Sequence, residues 1–144
     1  MNETSFWNFI LKTINSEKKI VLLVVSESSN SSPGREGFKM AVTEDAEMIG
    51  TIGGGIMEKD MIEYSLGLLF GKETRLIKKL YHSDKTNFEK SGLICGGFQT
   101  IIFSVLDKSH VQTIEDILSS ISQKQNGKLS VMPGKVEYQQ TENI

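Results

Sequence analysis

The sequence predicts a single α/β domain, with α+β as the alternative: a mixed β-sheet with amphipathic helices packed on it. Three observations predict it. Apolar residues recur at spacings of three and four in three separate stretches, 4–17, 56–70 and from Ser109 onward. Strand-like runs lie between those stretches, so helices and strands intermix along the chain. And 144 residues, 38% of them hydrophobic, suit one domain that buries about two-thirds of the surface its unfolded chain exposes.

Each element follows from its residues. Over 4–17, Phe6, Trp7, Ile10, Leu11 and Ile14 form one stripe, and Thr4 or Ser5 is placed to cap the start. The run Ile20 to Val25 is apolar on both faces, which predicts a central strand over 20–26 covered on both sides. Residues 27–37 are small and polar, with Pro33, Gly34 and Gly37 as punctuation, and predict a loop. Residues 38–43 and 47–52 read as the two strands of a hairpin about Glu44-Asp45. After Gly53-Gly54-Gly55, the residues Met57, Met61, Tyr64 and Leu68 mark a helix over 56–70 that Gly71 ends. A mixed-polarity edge strand is predicted over 74–82, a polar loop over 83–92, and a half-buried strand over 98–106 with Ile101, Phe103 and Val105 facing one way. Ser109 with Gln112 suggests a capping box, followed by the stripe Val111, Ile114, Ile117, Leu118 and Ile121. The tail from Lys128 to Tyr138 predicts a short hairpin about Pro133-Gly134.

Composition excludes several functions. Lys and Arg total 16 and Asp and Glu 18, a formal charge of −2, which argues against nucleic-acid binding by bulk electrostatics. One cysteine rules out an internal disulfide and a zinc site built from several thiolates. The longest apolar run, Ile20 to Val25, is far short of a membrane span, so no membrane partner is expected. The first five residues lack the basic region of a signal peptide, and with a free thiol this favours the cytoplasm.

Three glycine-bearing segments are the places where chemistry can sit. Gly53 to Gly55 stand between a strand and a helix, where free N–H groups and the positive helix end suit an oxyanion. Close packing of helix on sheet explains the same glycines equally well. Neither the dinucleotide fingerprint nor the P-loop pattern fits: position 58 is Glu58, and no Gly-Lys-Ser or Gly-Lys-Thr occurs. Glu58 itself falls in the first helical turn, where it would oppose an anion or cap the free N–H groups if none binds. Asp60 and Glu63 fit a solvated helix face. In the loop Ser28 to Gly37, Arg35 is suited to bidentate phosphate binding, or to a plain surface ion pair. Cys95 is the sharpest feature. A lone cysteine is commonly a small buried hydrophobe, but Gly92, Gly96 and Gly97 leave its sulfur little side-chain cover. A thiolate there could take up sulfur, ligate a soft metal or attack an electrophile. With no assignable partner in His82 or His110, a hydrolase is disfavoured.

Taken in order, Ser-Ser-Pro-Gly-Arg-Glu-Gly-Phe-Lys-Met at 31–40, Gly-Thr-Ile-Gly-Gly-Gly at 50–55 and Ile-Cys-Gly-Gly at 94–97 resemble the N-terminal domain of the XdhC/CoxI family of xanthine dehydrogenase accessory proteins. The resemblance covers about residues 5–106 of a domain spanning 1–144. It implies a chaperone, not an enzyme, that transiently binds the molybdenum cofactor (molybdopterin), assists its sulfuration and inserts it into a molybdenum hydroxylase client. A cysteine desulfurase and a second copy of the chain are further implied partners. By the same resemblance Cys95 contacts molybdenum or its sulfur, Gly53, Gly54, Gly55 and Arg35 hold the cofactor's phosphate, and Gly96, Gly97 and Ser32 belong to the same cofactor site. Two departures stand out. The Rossmann-like C-terminal domain of such proteins is absent, so the chain reads as a stand-alone module or a fragment. Ile56 and Met57 follow the glycine triplet, so no second thiol is available there. The competing readings are a sulfur carrier or sulfurtransferase acting through Cys95, and a non-catalytic oligomerisation or docking domain whose glycines serve packing alone.

Overall fold

The run Ile20 to Val25 has no polar face to give to water, and the fold answers by burying both of its faces. The computed structural model describes residues 2–29, 34, 36–54, 56–81 and 97–141. In chain order these form α1 (Glu3–Asn15), β1 (Ile20–Ser28), β2 (Lys39–Thr43), β3 (Met48–Gly50), α2 (Ile56–Leu69), β4 (Ile77–Tyr81) and β5 (Phe98–Leu106). A 3-10 turn at Lys108–His110 then leads into α3 (Val111–Ser122) and the hairpin β6 (Gly127–Met132) and β7 (Lys135–Gln140). The predicted loop at 83–92 lies outside the described residues.

The main sheet has the order β3-β2-β1-β5-β4, with β1 at its centre and every pairing antiparallel. Helices cover both faces, as the α/β reading expects. On one face Ile20 and Leu22 pack with Phe6, Trp7, Ile10 and Ile14 of α1 and with Ile114 and Ile117 of α3. On the other, Val21, Leu23 and Val25 meet Met40, Ile52, Phe103 and Met61 of α2. Burying an aliphatic side chain is worth about 1.5–3 kcal/mol. The fully covered residues of β1 alone therefore contribute on the order of 10 kcal/mol before the entropy of ordering the chain is set against it. Trp7 completes its face by donating its indole N–H to Glu3 Oε2 at 2.9 Å.

Several local expectations need correction. Asn2 caps α1, accepting from Ser5 N at 2.8 Å; Thr4 and Ser5 lie inside the helix. The capping box before α3 is built on Asp107 and His110, not on Ser109 and Gln112. Asp107 accepts from Ser109 N at 3.0 Å, its own N–H donates to His110 Nδ1 at 3.1 Å, and Gln112 turns outward to Asp116 at 2.8 Å. Strand β5 is buried on both faces rather than half-buried. Its polar residues reach the interior because each finds a backbone or side-chain partner: Thr100 donates to Glu27 Oε1 at 3.0 Å and Ser104 to Met132 O at 3.3 Å.

Antiparallel order has a topological result that places the site. β1 ends at Ser28, β2 begins at Lys39, β3 ends at Gly50, β4 ends at Tyr81 and β5 begins at Phe98. By register these ends are neighbours: Ser28 is opposite Gln99, Met40 opposite Gly50, and Tyr81 opposite Phe98. The three glycine-bearing segments therefore all leave from one rim of the sheet. A bulge between Val25 and Glu27 bends β1 as it reaches that rim.

Candidate functional site

At the rim, one residue from each of the first two segments meets a side chain from the strand that follows the third. Gln99 is the first inward-facing residue of β5, in phase with Ile101 and Phe103. It is fully buried, and its Nε2 donates to Ile52 O at 2.6 Å. Gly34 lies against the same pair. A Cβ at Gly34 would stand 2.0 Å from Ile52 O and 2.1 Å from Gln99 Nε2, so only glycine fits between them. Thus the loop after β1, the turn after β3 and the start of β5 are locked together by one hydrogen bond and one close backbone approach. The bond also fixes the orientation of the carboxamide. Its nitrogen must face the Ile52 carbonyl, which leaves Gln99 Oε1 buried with no hydrogen-bond partner.

The turn after β3 is held by a carboxylate. Gly53 and Gly54 both have positive φ, +134° and +83°, which directs successive N–H groups inward. One oxygen, Glu58 Oε2, accepts from Ile52 N at 3.0 Å and from Gly54 N at 3.0 Å, and also from the Thr51 hydroxyl. Gly53 N donates to Thr51 Oγ1 at 3.0 Å. Glu58 sits in the first turn of α2, so the positive end of the helix favours its charge as well. The N–H groups of 52–54 are therefore engaged in this state, and the capping alternative for Glu58 is the one the geometry displays. An external anion at this turn has to take the place of the Glu58 carboxylate.

The rest of the rim is anchored by short polar contacts. Ser29 N donates to Phe98 O at 3.0 Å, and Phe98 N donates back to Ser29 Oγ at 2.9 Å. Glu36 receives Ser28 N at 3.1 Å and Ser28 Oγ at 3.0 Å. Lys39 bonds Glu3 at 2.9 Å beside an open cavity of about 430 Å³ lined by Phe6, Phe38, Gly50 and Thr51. Thr51 thus belongs both to that cavity and to the turn that Glu58 holds. Asp60 and Glu63 of α2 are exposed, on the solvated face their spacing suggests.

Of the residues singled out from sequence, Gly53, Gly54 and Gly97 are at this rim, and Gly97 is buried. Ser32, Arg35, Gly55, Cys95 and Gly96 lie outside the described residues. Sequence reasoning missed Gly34, Thr51 and Gln99. Gln99 did carry a signal: it is a polar residue in phase with Ile101, Phe103 and Val105 on an inward face.

Fold and rim together define a class: an antiparallel sheet between helical layers, with the strand ends that flank its glycine-bearing segments at one rim. Residues 13–79 of the chain match the model of the XdhC and CoxI family. The match includes the first two glycine segments and ends before Cys95. Over 83 residues the chain is 34% identical to the uncharacterized protein YqeB of Escherichia coli (strain K12), a stretch covering 56% of this chain and 14% of that protein. A solved structure described as a xanthine dehydrogenase from Bacillus halodurans superposes with a TM-score of 0.70 at 19% identity, over 98% of this chain and 42% of that one. At that identity the likeness shows the fold alone. The chain spans less than half the length of either protein. Among the described residues, no helix is long and apolar enough to cross a membrane.

Proposed function

We propose that this domain binds the molybdenum cofactor transiently and passes it to a xanthine dehydrogenase-type molybdenum hydroxylase during that enzyme's maturation. The observation that carries the reading is the Gly34–Ile52–Gln99 junction. It joins a residue of each of the first two glycine motifs to the strand that follows the third, which supports a site assembled at that rim. The sequence match over 13–79 and the fold shared with a structure described as a xanthine dehydrogenase point in the same direction.

The residues present suit such a guest. The turn at 51–54 binds a carboxylate oxygen through two N–H groups and a hydroxyl, which is the donor set a phosphate oxygen needs. Gln99 Oε1 is a buried acceptor awaiting a donor. In this reading Gly53, Gly54 and Gly55, with Ser32 and Arg35, hold the phosphate, while Cys95 beside Gly96 and Gly97 supplies a soft sulfur donor for molybdenum or its sulfur ligand. The bound cofactor supplies the metal chemistry, which the client enzyme uses. The domain's own part is to shelter the cofactor and release it, in the cytoplasm, where a lone thiol stays reduced.

The test is retention of isolated molybdenum cofactor on gel filtration, with Cys95→Ala run beside the parent protein. Co-elution with the parent and weakened co-elution with the variant are expected. Loss of the cofactor from both proteins would end the reading. Titration of the native thiol gives a second check: Cys95 should react without denaturant, and a thiol that reacts only after unfolding would mark it as packing.

A further inference from the structure

We propose that the free edge of β4 is a docking site for an extended, acidic segment of a partner protein, which adds to the main sheet as a sixth strand. The proposal goes beyond the cofactor reading and does not rest on it. The sheet ends in β4, which among the described strands has β5 as its only neighbour. Phe103 N donates to Leu76 O at 2.9 Å, so in this register Leu76, Lys78 and Leu80 exchange their backbone hydrogen bonds with β5. The N–H and C=O groups of Ile77, Lys79 and Tyr81 therefore point away from the sheet, in the arrangement that an added strand pairs with. The side chains of the same three residues share one face. Ile77 is 44% exposed there and Tyr81 68%, and they stand opposite the half-buried Ile102 and Phe98 of β5.

Charge selects the occupant. Over residues 72–81, Lys72, Arg75, Lys78 and Lys79 stand against the single carboxylate of Glu73, in a chain whose formal charge is −2. None of the four forms an ion pair with another described residue. The two lysines of the strand are set over rings instead. Lys78 Nζ lies 4.2 Å from the centre of the Tyr64 ring on the α2 side, and Lys79 Nζ 4.2 Å from the centre of the Phe98 ring on the other. One ammonium group thus flanks each face of the edge. A second copy of the chain fits poorly, because antiparallel pairing of β4 with itself about Lys79 sets that lysine opposite its own copy. Lysines that guard an edge against self-pairing explain this repulsion, but not the exposure of Ile77 and Tyr81 beside them. The complement is a strand with apolar residues opposite Ile77 and Tyr81 and carboxylates opposite Lys78 and Lys79. Read antiparallel, it is Val-Thr-Glu-Glu-Val.

The experiment follows a fluorescein-labelled peptide with the core Val-Thr-Glu-Glu-Val by anisotropy on the full chain, beside a control with the core Val-Thr-Lys-Lys-Val. The acidic peptide should bind about tenfold more tightly than the control, and its affinity should fall as salt is raised. Lys78→Glu combined with Lys79→Glu should reverse the preference. N-methylation of the first Glu of the peptide, whose N–H faces Lys79, should abolish binding, whereas N-methylation of the second, whose N–H faces away, should leave it intact. The peptide arms use the parent protein, so they stand even where the double variant does not fold. In the free protein the amides of Ile77, Lys79 and Tyr81 should exchange with solvent faster than those of Lys78 and Leu80, and should become protected when the acidic peptide is bound. Failure of the acidic peptide to bind, equal binding of the two peptides, or binding indifferent to the methylated position would overturn the proposal. Outer amides already protected in the free protein, or a chain that dimerises through β4 and excludes the peptide, would overturn it as well.

Discussion

Replacing Gly34 by Ala isolates the junction on which the site depends. Gly34 is not among the residues with positive φ, so the backbone itself accepts an alanine. At such a position Gly→Ala ordinarily stabilises by about 0.4–1 kcal/mol, through the unfolded chain. Here the new methyl would stand 2.0 Å from Ile52 O and 2.7 Å from Ile52 C, which are backbone atoms, and 2.1 Å from Gln99 Nε2. Gln99 can swing away, but only by giving up its 2.6 Å bond and leaving Ile52 O unpaired. Overpacking of this kind costs about 1–3 kcal/mol, and a buried carbonyl stripped of its donor about 1–3 kcal/mol more. The net expectation is a loss of about 3 kcal/mol, or roughly 10 °C in melting temperature for a domain of this size. Gly37→Ala is the control. Gly37 has φ +90° with nothing within 4 Å of a Cβ, so it pays backbone strain without a clash, about 1 kcal/mol. Urea denaturation of both variants measures the difference. A Gly34→Ala protein as stable as the parent, or more stable, would refute the packing of the three segments against one another.

Three further outcomes follow from the same structure. Trp7→Ala removes a ring that is 1% exposed and its bond to Glu3, and should cost about 3–5 kcal/mol in chemical denaturation. Asp107→Ala removes the cap before α3 and should cost about 1 kcal/mol. The side-chain and backbone bonds from Ser109, in that order, hold the Asp107 carboxyl below its usual range. A depressed folded value means that the contribution is complete above the unfolded value and fades as pH falls through the folded one. The parent's advantage over Asp107→Ala should therefore narrow as pH falls below about 4, and a gap that did not narrow in acid would contradict this. Desolvation, assisted by the charge of Glu73, raises the Tyr64 phenol above its usual range, and its hydroxyl donates to Arg75 O at 2.7 Å. In an alkaline absorbance titration one tyrosine should therefore ionise late, and Tyr64→Phe should remove that late step.

The layered fold was legible because its signals are local. The both-faces-apolar run of β1 forces a central strand, and the three-and-four spacing of Phe6, Trp7, Ile10 and Ile14 forces a helix, whatever lies elsewhere. The helix caps were harder. Asn2 and Asp107 each stand two or three residues ahead of the residues expected to cap, and several hydroxyl or carboxylate candidates sit within reach of each helix start. The burial of β5 was obscured because Thr100 and Ser104 look solvent-facing until their partners in β1 and β6 are placed. At the site, Gly53 and Gly54 announced a turn, but its occupant was decided by a single rotamer of Glu58 that no pattern specifies. The junction of Gly34 with Gln99 joins residues 65 positions apart in sequence, and its content is a steric exclusion (an atom that must be missing). Such a relation leaves no periodicity for a sequence to display.

The antiparallel sheet separates two ends of the molecule. The hairpin turn at Glu44-Asp45-Ala46 closes the end opposite the glycine-bearing rim, tied down by the Thr43 hydroxyl, which accepts from Glu47 N at 3.0 Å, and by the ion pair of Lys18 with Asp45. A tether, dye or affinity handle grafted there would hang from the far pole. Immobilised by that pole, the domain would present its glycine-bearing rim outward, with the length of the strands between surface and rim.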